Sequence, residues 1–204
     1  MFSDINLIGQ ETYLGKFNIN SGAVKIGDPC YDPDTWCLGD CEDVMDGTWV
    51  AKILEADDFD TNGWGDRNSA LFAFNQDYFM ENYNFDDIEI KKFAKSAYKT
   101  RFSLDYNVGE LGVDSGQAGI YDHKNFLTVK QGEKAQEENW FWQNGNITLT
   151  GSMAGVHPDQ KGCVSSSGFG DGGYDYFCYY NNQGYTVAIL IVFISKEDFS
   201  HETI

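Results

Sequence analysis

The sequence predicts a mainly β protein of the α+β class, a single antiparallel β-sandwich or sheet with about two helices at its periphery. The composition supports this, because 16% of the 204 residues are aromatic and glycine (22) greatly outnumbers proline (3), a balance typical of strands and turns. Short alternating segments separated by turn residues support it as well. The length suffices for one core, so we expect residues 1–204 to form one domain.

The first half of the chain predicts four strands. Residues 12–26 indicate two short strands on either side of the turn-forming trio Asn20-Ser21-Gly22. Residues 47–56 alternate apolar and polar side chains, as a half-buried strand does. Residues 69–74 are expected to pair with that strand as a hairpin across an acidic loop.

Two segments favour helices. In residues 86–97, apolar side chains recur at helical spacing, and two aspartates stand at the start, where the helix dipole favours them. Residues 133–144 are expected to form a second helix, although a cluster of aromatic residues makes the period ambiguous. Between them, residues 98–104 alternate like one face of a strand.

The last third predicts the centre of the sheet. Residues 112–122 indicate a strand pair interrupted by glycines. Residues 174–180 and 185–194 are expected to form a hairpin around the turn residues 181–184. The second of these strands is apolar without alternation, which predicts a central strand buried on both faces. Residues 195–204 are expected to be a flexible tail.

The net charge of −18 bears on the partners of the protein. Direct nucleic-acid binding is not expected, because phosphate contacts need a positive surface. Acids dispersed for solubility explain the charge, and so does an acidic face that imitates a nucleic-acid backbone or binds a basic partner. The sequence leaves both interpretations open.

The location is predicted from what the chain lacks and from its cysteines. The first residues show no basic region followed by an apolar core, so no secretory signal is expected. The longest apolar run, residues 187–194, is too short to cross a membrane as a helix. Five cysteines, an odd number, favour reduced thiols. We therefore expect a cytoplasmic protein that does not bind membranes.

An acidic loop partly matches a calcium-binding loop. Candidate oxygen ligands stand at Asp58, Asp60, Asn62 and Asp66. The pattern then departs, because Ser69 stands where a calcium loop has its bidentate glutamate, and the flanking segments predict strands. An acidic hairpin loop and an unconventional Ca²⁺ site both remain open.

Three aspartates next to glycine or proline are the candidate catalytic residues: Asp28, Asp114 and Asp171. Aspartate stabilises turns through its own side chain, which is the structural explanation for each. If the fold brings the three together, they could instead hold a divalent cation, Ca²⁺ or Mg²⁺, or share a proton. Neutral hydrogen bonds to a ligand would then come from Ser115, Gln117, Ser167 and Tyr174.

Two motifs carry a resemblance to a known family. Residues 112–122 (GVDSGQAGIYD) and residues 167–174 (SGFGDGGY), followed by a long apolar strand, resemble domain of unknown function 4241, a family of bacterial and phage proteins. Residues 27–31 (GDPCY) are similar to a stretch near the start of related phage proteins, so the resemblance spans roughly residues 22–194. A proline expected after the final tyrosine is replaced by Asp175. The resemblance implies a fold and a phage or bacterial setting, but no activity.

Two functions follow as hypotheses. The first is a non-catalytic accessory protein of a phage or bacterium, whose acidic β-domain binds a protein or a small ligand through its aspartate and glycine turns. The alternative is a metal-assisted hydrolase or nucleotide-processing enzyme that uses the three aspartates as metal ligands or as general acid and base. The sequence does not decide whether the protein is an enzyme.

Overall fold

Two antiparallel sheets form the protein, which confirms the predicted mainly β, sandwich-like fold. The structure, a computed structural model, describes residues 5–83, 88–91, 93–94, 105–127 and 134–199. The strands are β1 Gln10–Ile19, β2 Val24–Gly27, β3 Gly39–Cys41, β4 Gly47–Ala56, β5 Arg67–Asn75, β6 Asp105–Val113, β7 Gln117–Asp122, β8 Ala154–Val156, β9 Gly162–Ser166, β10 Gly172–Tyr180 and β11 Thr186–Val192. The helices are α1 Gln76–Asn82 and α2 Lys134–Thr148.

The larger sheet has six strands in the order β1-β4-β5-β11-β10-β6. It contains both predicted hairpins, since β4 pairs with β5 and β10 pairs with β11, each antiparallel. Strand β11 lies between β5 and β10, and all its side chains except that of Val192 are fully buried. The unbroken apolar run therefore predicted a central strand correctly.

The smaller sheet has five strands in the order β3-β2-β7-β9-β8. Some strands that are consecutive in the sequence join different sheets. Strand β1 belongs to the larger sheet and β2 to the smaller one, and likewise β6 belongs to the larger sheet and β7 to the smaller one. Among the described strands, the chain changes sheets four times, at residues 20–23, 42–46, 114–116 and 167–171. The strand pair predicted within residues 112–122 is therefore wrong, because β6 and β7 join different sheets. The crossing at residues 114–116 lies beside the end of β2, where a candidate site was predicted.

The main core lies between the two sheets. Alternate side chains of β4, which include Trp49, Ala51 and Ile53, point into it and are completely buried. The facing sheet contributes Val24, Ile26 and Ile120 to the same cluster. Both sheets therefore bury one face against the other, as a β-sandwich requires.

The outer face of each sheet is covered as well. Phe79 of α1 packs on the larger sheet, in a cluster that also contains Ile90 and Phe93. Trp140 of α2 packs on the smaller sheet against Tyr121, with the ring centroids 5.0 Å apart. Both sheets are thus buried on two sides, which explains why so few strands show a simple apolar–polar alternation.

The helix predictions are confirmed in part. Of the predicted 86–97 helix, residues 90, 91, 93 and 94 are helical, whereas residues 88 and 89 are not, and its other residues lie outside the described ones. The predicted strand 98–104 also lies outside them. The second helix, predicted at 133–144, extends over Lys134–Thr148.

The C-terminal segment begins with ordered structure. A 3₁₀ turn covers Lys196–Phe199, and the Asp198 carboxylate accepts a hydrogen bond from the Ser195 amide at 2.6 Å. Residues 200–204 lie outside the described residues, so flexibility remains a prediction for that part of the tail. Elsewhere, all five cysteines are free thiols, and no described helix is both long and apolar enough to cross a membrane.

Candidate functional site

The fold brings the three predicted aspartate turns to the same end of the sandwich. Val113, the last residue of β6, pairs with Gly172, the first residue of β10. Asp114 directly follows β6 and Asp171 directly precedes β10, so the two aspartates stand at neighbouring strand ends. The Ser167 amide donates to the Gly116 carbonyl at 3.0 Å, which ties these two turns together. Asp28, which directly follows β2, accepts hydrogen bonds from the turn that contains Asp114.

The Asp28 carboxylate is buried and fully engaged by hydrogen bonds within the chain. It accepts from the amide of Cys30 at 2.8 Å, from the amides of Asp114 and Ser115 at 2.9 and 2.7 Å, and from the Ser115 hydroxyl at 2.7 Å. Its exposed fraction is 0%. Four donors occupy the oxygens of a buried carboxylate, so Asp28 joins the turn after β6 to the end of β2.

The side chains around Asp28 do not form an activated nucleophile. Burial raises the pKa of the Cys30 thiol and the negative charge of Asp28 adds to that, against a hydrogen bond with Ser115 that lowers it. A thiol nucleophile needs the opposite shift, because the thiolate is the reactive form. The pKa of the nearby Tyr31 hydroxyl is likewise raised, first by burial and then by its hydrogen bond with Asp114.

The turn that contains Asp171 is held by its own polar groups. The Tyr174 hydroxyl lies 2.7 Å from the carbonyl oxygens of Ser167 and Gly170 and shares its proton between them, and the Ser167 hydroxyl donates to the Gly170 carbonyl at 2.8 Å. The Asp171 side chain itself is exposed. Ser167 and Tyr174, predicted to bind a ligand, therefore stabilise this turn.

Gln117 differs from the other predicted ligand-binding residues. Ser115, Ser167 and Tyr174 all hydrogen-bond within the chain. The buried Gln117 Oε1 has no hydrogen-bond partner among the residues that the structure describes. Of the four predicted side chains, Gln117 is thus the one with a buried polar atom that lacks a hydrogen-bond partner among the described residues.

The aspartates come together as turns and not as a cluster of carboxylates. Within the described ranges, no group of three or more His, Cys, Asp or Glu side chains is arranged so that it could hold a metal ion. In the predicted calcium loop, Asp58 accepts from the Gly65 amide at 2.8 Å and Asp60 accepts from the Gly9 amide at 3.1 Å. These two carboxylates cap backbone amides, as expected for an acidic hairpin loop.

An exposed aromatic surface is formed by the β4–β5 loop and the turn before β10. The rings of Trp64 and Phe169 meet edge to face with their centroids 5.6 Å apart, and Phe169 also contacts the ring of Phe199 at 6.0 Å. Trp64 is 56% exposed and Phe169 is 44% exposed. We call these three residues the aromatic patch. Solvent-exposed aromatic clusters of this kind are typical of interaction surfaces.

Glycines flank the two exposed rings of the patch, Trp64 and Phe169. In Gly63-Trp64-Gly65 the flanking φ angles are +87° and +78°, and in Gly168-Phe169-Gly170 they are +54° and +105°. Residues with a Cβ resist such angles, whereas glycine adopts them readily. The backbone therefore bends sharply before and after each aromatic residue. The Gly-aromatic-Gly triplet is a sequence signal for this patch that the search for aspartate turns missed.

A second group of residues has no local signal in the sequence. A cavity beside the β4–β5 loop contains Glu11 from β1, Glu55 from β4 and Asn68 from β5. Glu55 and Asn68 pair across the β4–β5 hairpin, whereas the distant Glu11 meets them because β1 is the other neighbour of β4. Only the strand order reveals this cavity.

The comparisons with known proteins do not add a family. The chain matches no family model, no curated protein and no solved structure. The resemblance to domain of unknown function 4241 therefore stays an expectation from the two motifs.

Proposed function

We propose that the protein is a non-catalytic acidic binding domain whose aromatic patch recognises a basic protein partner. The observation that carries this proposal is the contact between the exposed rings of Trp64 and Phe169 on two glycine-bent loops. Large exposed aromatic side chains provide much of the binding energy at protein interfaces. Apolar ring surface exposed to water is unfavourable, so a complex in which a partner covers these rings is stabilised.

The charge around the patch indicates the sign of the partner. Each ring stands within two residues of an exposed aspartate: Trp64 near Asp66, Phe169 near Asp171, and Phe199 next to Asp198. The whole chain carries a net charge of −18. An apolar centre with an acidic rim complements a surface that has an apolar centre and lysine or arginine at its edge.

The alternative, a metal-assisted hydrolase, has less support. Its three aspartates would need free carboxylates facing a common centre. Asp28 instead uses its oxygens for four internal hydrogen bonds, while Asp171 is exposed on another turn. We therefore favour binding over catalysis.

The setting is part of the proposal. Five free thiols suit a reducing compartment, and the motifs that resemble domain of unknown function 4241 imply a bacterial or phage origin. We place the protein in the cytoplasm of a bacterium or of a phage-infected cell. Its partner would then be a basic protein of the same compartment.

The test compares capture from a bacterial lysate by three immobilised forms: the unchanged chain, the double variant Trp64→Ala and Phe169→Ala, and the control Trp36→Ala. Trp36 is 93% exposed, and no ring contact joins it to the patch among the described residues. We expect a basic protein to be retained by the unchanged chain and by the control, and lost with the double variant.

The captured protein is then purified and its affinity is measured at low and high salt. Affinity should fall as salt rises, because screening weakens the attraction between the acidic rim and the basic partner. Equal retention by all three forms would rule out the patch as the binding surface. Retention of acidic proteins alone would rule out the proposed charge of the partner.

A further inference from the structure

An acidic cavity of about 330 Å³ lies at the edge of the larger sheet. Its lining includes five acidic side chains and one basic side chain, namely Glu11, Glu55, Asp57, Asp60, Asp66 and Arg67. The volume falls within the range of small-ligand pockets. The cavity contains none of the three rings of the aromatic patch, although Asp66 of its lining lies two residues from Trp64.

Several of these acids already have partners within the chain. Glu11 forms an ion pair with Lys52 at 3.1 Å, and Glu55 accepts from the Thr12 hydroxyl. Asp57 accepts from the amide of Asp60 at 2.8 Å. These bonds hold the acids in place, but each carboxylate can accept more than one hydrogen bond. The cavity therefore keeps a fixed set of acceptors.

Asp66 is the most available acid of the cavity. It is exposed, and none of the described residues donates a hydrogen bond to its carboxylate. The neighbouring Arg67 guanidinium contacts the backbone carbonyl of Asp66 at 3.2 Å and not its carboxylate. The carboxylate is thus free to receive a donor from a ligand.

One residue of the cavity lining carries a buried acceptor without a partner among the described residues. Asn68 is completely buried and belongs to the cavity lining. Its Nδ2 group lies 2.9 and 3.2 Å from the carbonyl oxygens of Ser152 and Met153, which fixes the orientation of the amide because a carbonyl can only accept. Its Oδ1 has no partner among the described residues. A buried carbonyl without a donor destabilises the folded state, and a ligand N–H group would remove that cost.

We infer that this cavity binds an organic cation with N–H donors, a primary ammonium or a guanidinium group. The cation donates to Asn68 Oδ1 and to the Asp66 carboxylate, two lining groups whose acceptors are unused by the described residues. A single metal ion fits less well, because no three acidic side chains of the described chain converge on one point. Carboxylates distributed along a cavity suit an elongated or branched cation better.

Two probes represent the two sources of this chemistry. Spermidine stands for a free polyamine, and N-acetyl-arginine amide stands for an arginine side chain of a peptide. N-acetyl-citrulline amide is the matched neutral ligand, since it keeps the shape of the arginine derivative without its charge. Each is titrated by calorimetry in low-salt buffer into the unchanged chain and into three variants: Asp66→Asn, Asp66→Glu and Asp34→Asn. Asp34 is an exposed acid outside the cavity and controls for the loss of one charge.

We expect at least one cationic probe to bind with one-to-one stoichiometry. Loss of the Asp66 charge should weaken it by about threefold, the size of one exposed ion pair. The Asp66→Glu and Asp34→Asn variants should bind like the unchanged chain, and the citrulline derivative should not bind. In ¹⁵N NMR spectra, the side-chain amide signal of Asn68 should shift on binding, because its carbonyl gains a donor.

Which probe binds identifies the source of the cation. The inference is overturned if neither cation binds, if Asp34→Asn weakens binding as much as Asp66→Asn, or if the Asn68 amide signal does not move. The Trp64→Ala and Phe169→Ala variant should bind the probes normally. That result separates a failure of the cavity from a failure of the aromatic patch.

Discussion

A buried carboxylate can join two distant segments of a fold without being catalytic, and Asp28 is an example. Its neighbours in sequence, glycine and proline, correctly indicated a turn. Its partners Asp114 and Ser115 lie more than eighty residues away, which no local pattern reveals. At this scale the residue type predicted the turn, and only the fold identified the second chain segment that the carboxylate holds.

Replacing Asp28 with asparagine should destabilise the protein by about 3 kcal/mol, because an amide NH₂ would face backbone N–H donors that now lack an acceptor. The free energy of unfolding from urea titration measures this. Asp34→Asn, at an exposed site, should change it by less than about 0.5 kcal/mol. Equal effects of the two substitutions would show that the hydrogen bonds of Asp28 contribute little to stability.

Helix α2 shows what the sequence could and could not determine about an element. Its two tryptophans, separated by Phe141, obscured the helical period, yet the structure assigns them opposite environments. Trp140 is buried and its indole N–H donates to the Pro29 carbonyl at 2.7 Å, whereas Trp142 is 67% exposed. The helix therefore docks on the smaller sheet through one aromatic residue of the pair.

Trp140→Ala should lower the free energy of unfolding by about 3–5 kcal/mol, through the cavity it leaves and the lost hydrogen bond. Trp142→Ala in the same helix should change it by less than about 0.5 kcal/mol. Chemical denaturation followed by tyrosine and tryptophan fluorescence gives both values. A large effect of Trp142→Ala would contradict this and would mean that the exposed ring also contributes to packing.

The net charge acts on the molecule as a whole. With 32 acidic and 14 basic residues, the folded state concentrates negative charge that the unfolded chain spreads out. Sodium chloride should therefore raise the urea midpoint, with most of the gain reached near about 0.15 M, where the screening length is about 8 Å.

Choline chloride at the same ionic strength should have the same effect as sodium chloride, because screening does not depend on which cation is present. A midpoint that falls or stays constant with salt would contradict net repulsion. A gain with sodium but not with choline would indicate specific binding of the metal ion. Both outcomes are read from the same denaturation curves.

The sequence by itself determined most of the individual elements. The hairpins β4–β5 and β10–β11 were predicted because their partners are close in the chain and their turn residues are local. The central position of β11 followed from its unbroken apolar run, since a strand buried on both faces has no polar side. The acidic loop and the aspartate turns were also read directly from residue types.

Only the tertiary structure decided which sheet each strand joins and which side chains meet. Strands β1 and β2 are separated by one short turn but enter different sheets, because their apolar faces pack against each other across the core. The acidic cavity depends on the same strand order, which brings Glu11, Glu55 and Asn68 together. Pairing between distant segments is set by the summed burial of the whole core, and that sum leaves no trace in any short stretch of sequence.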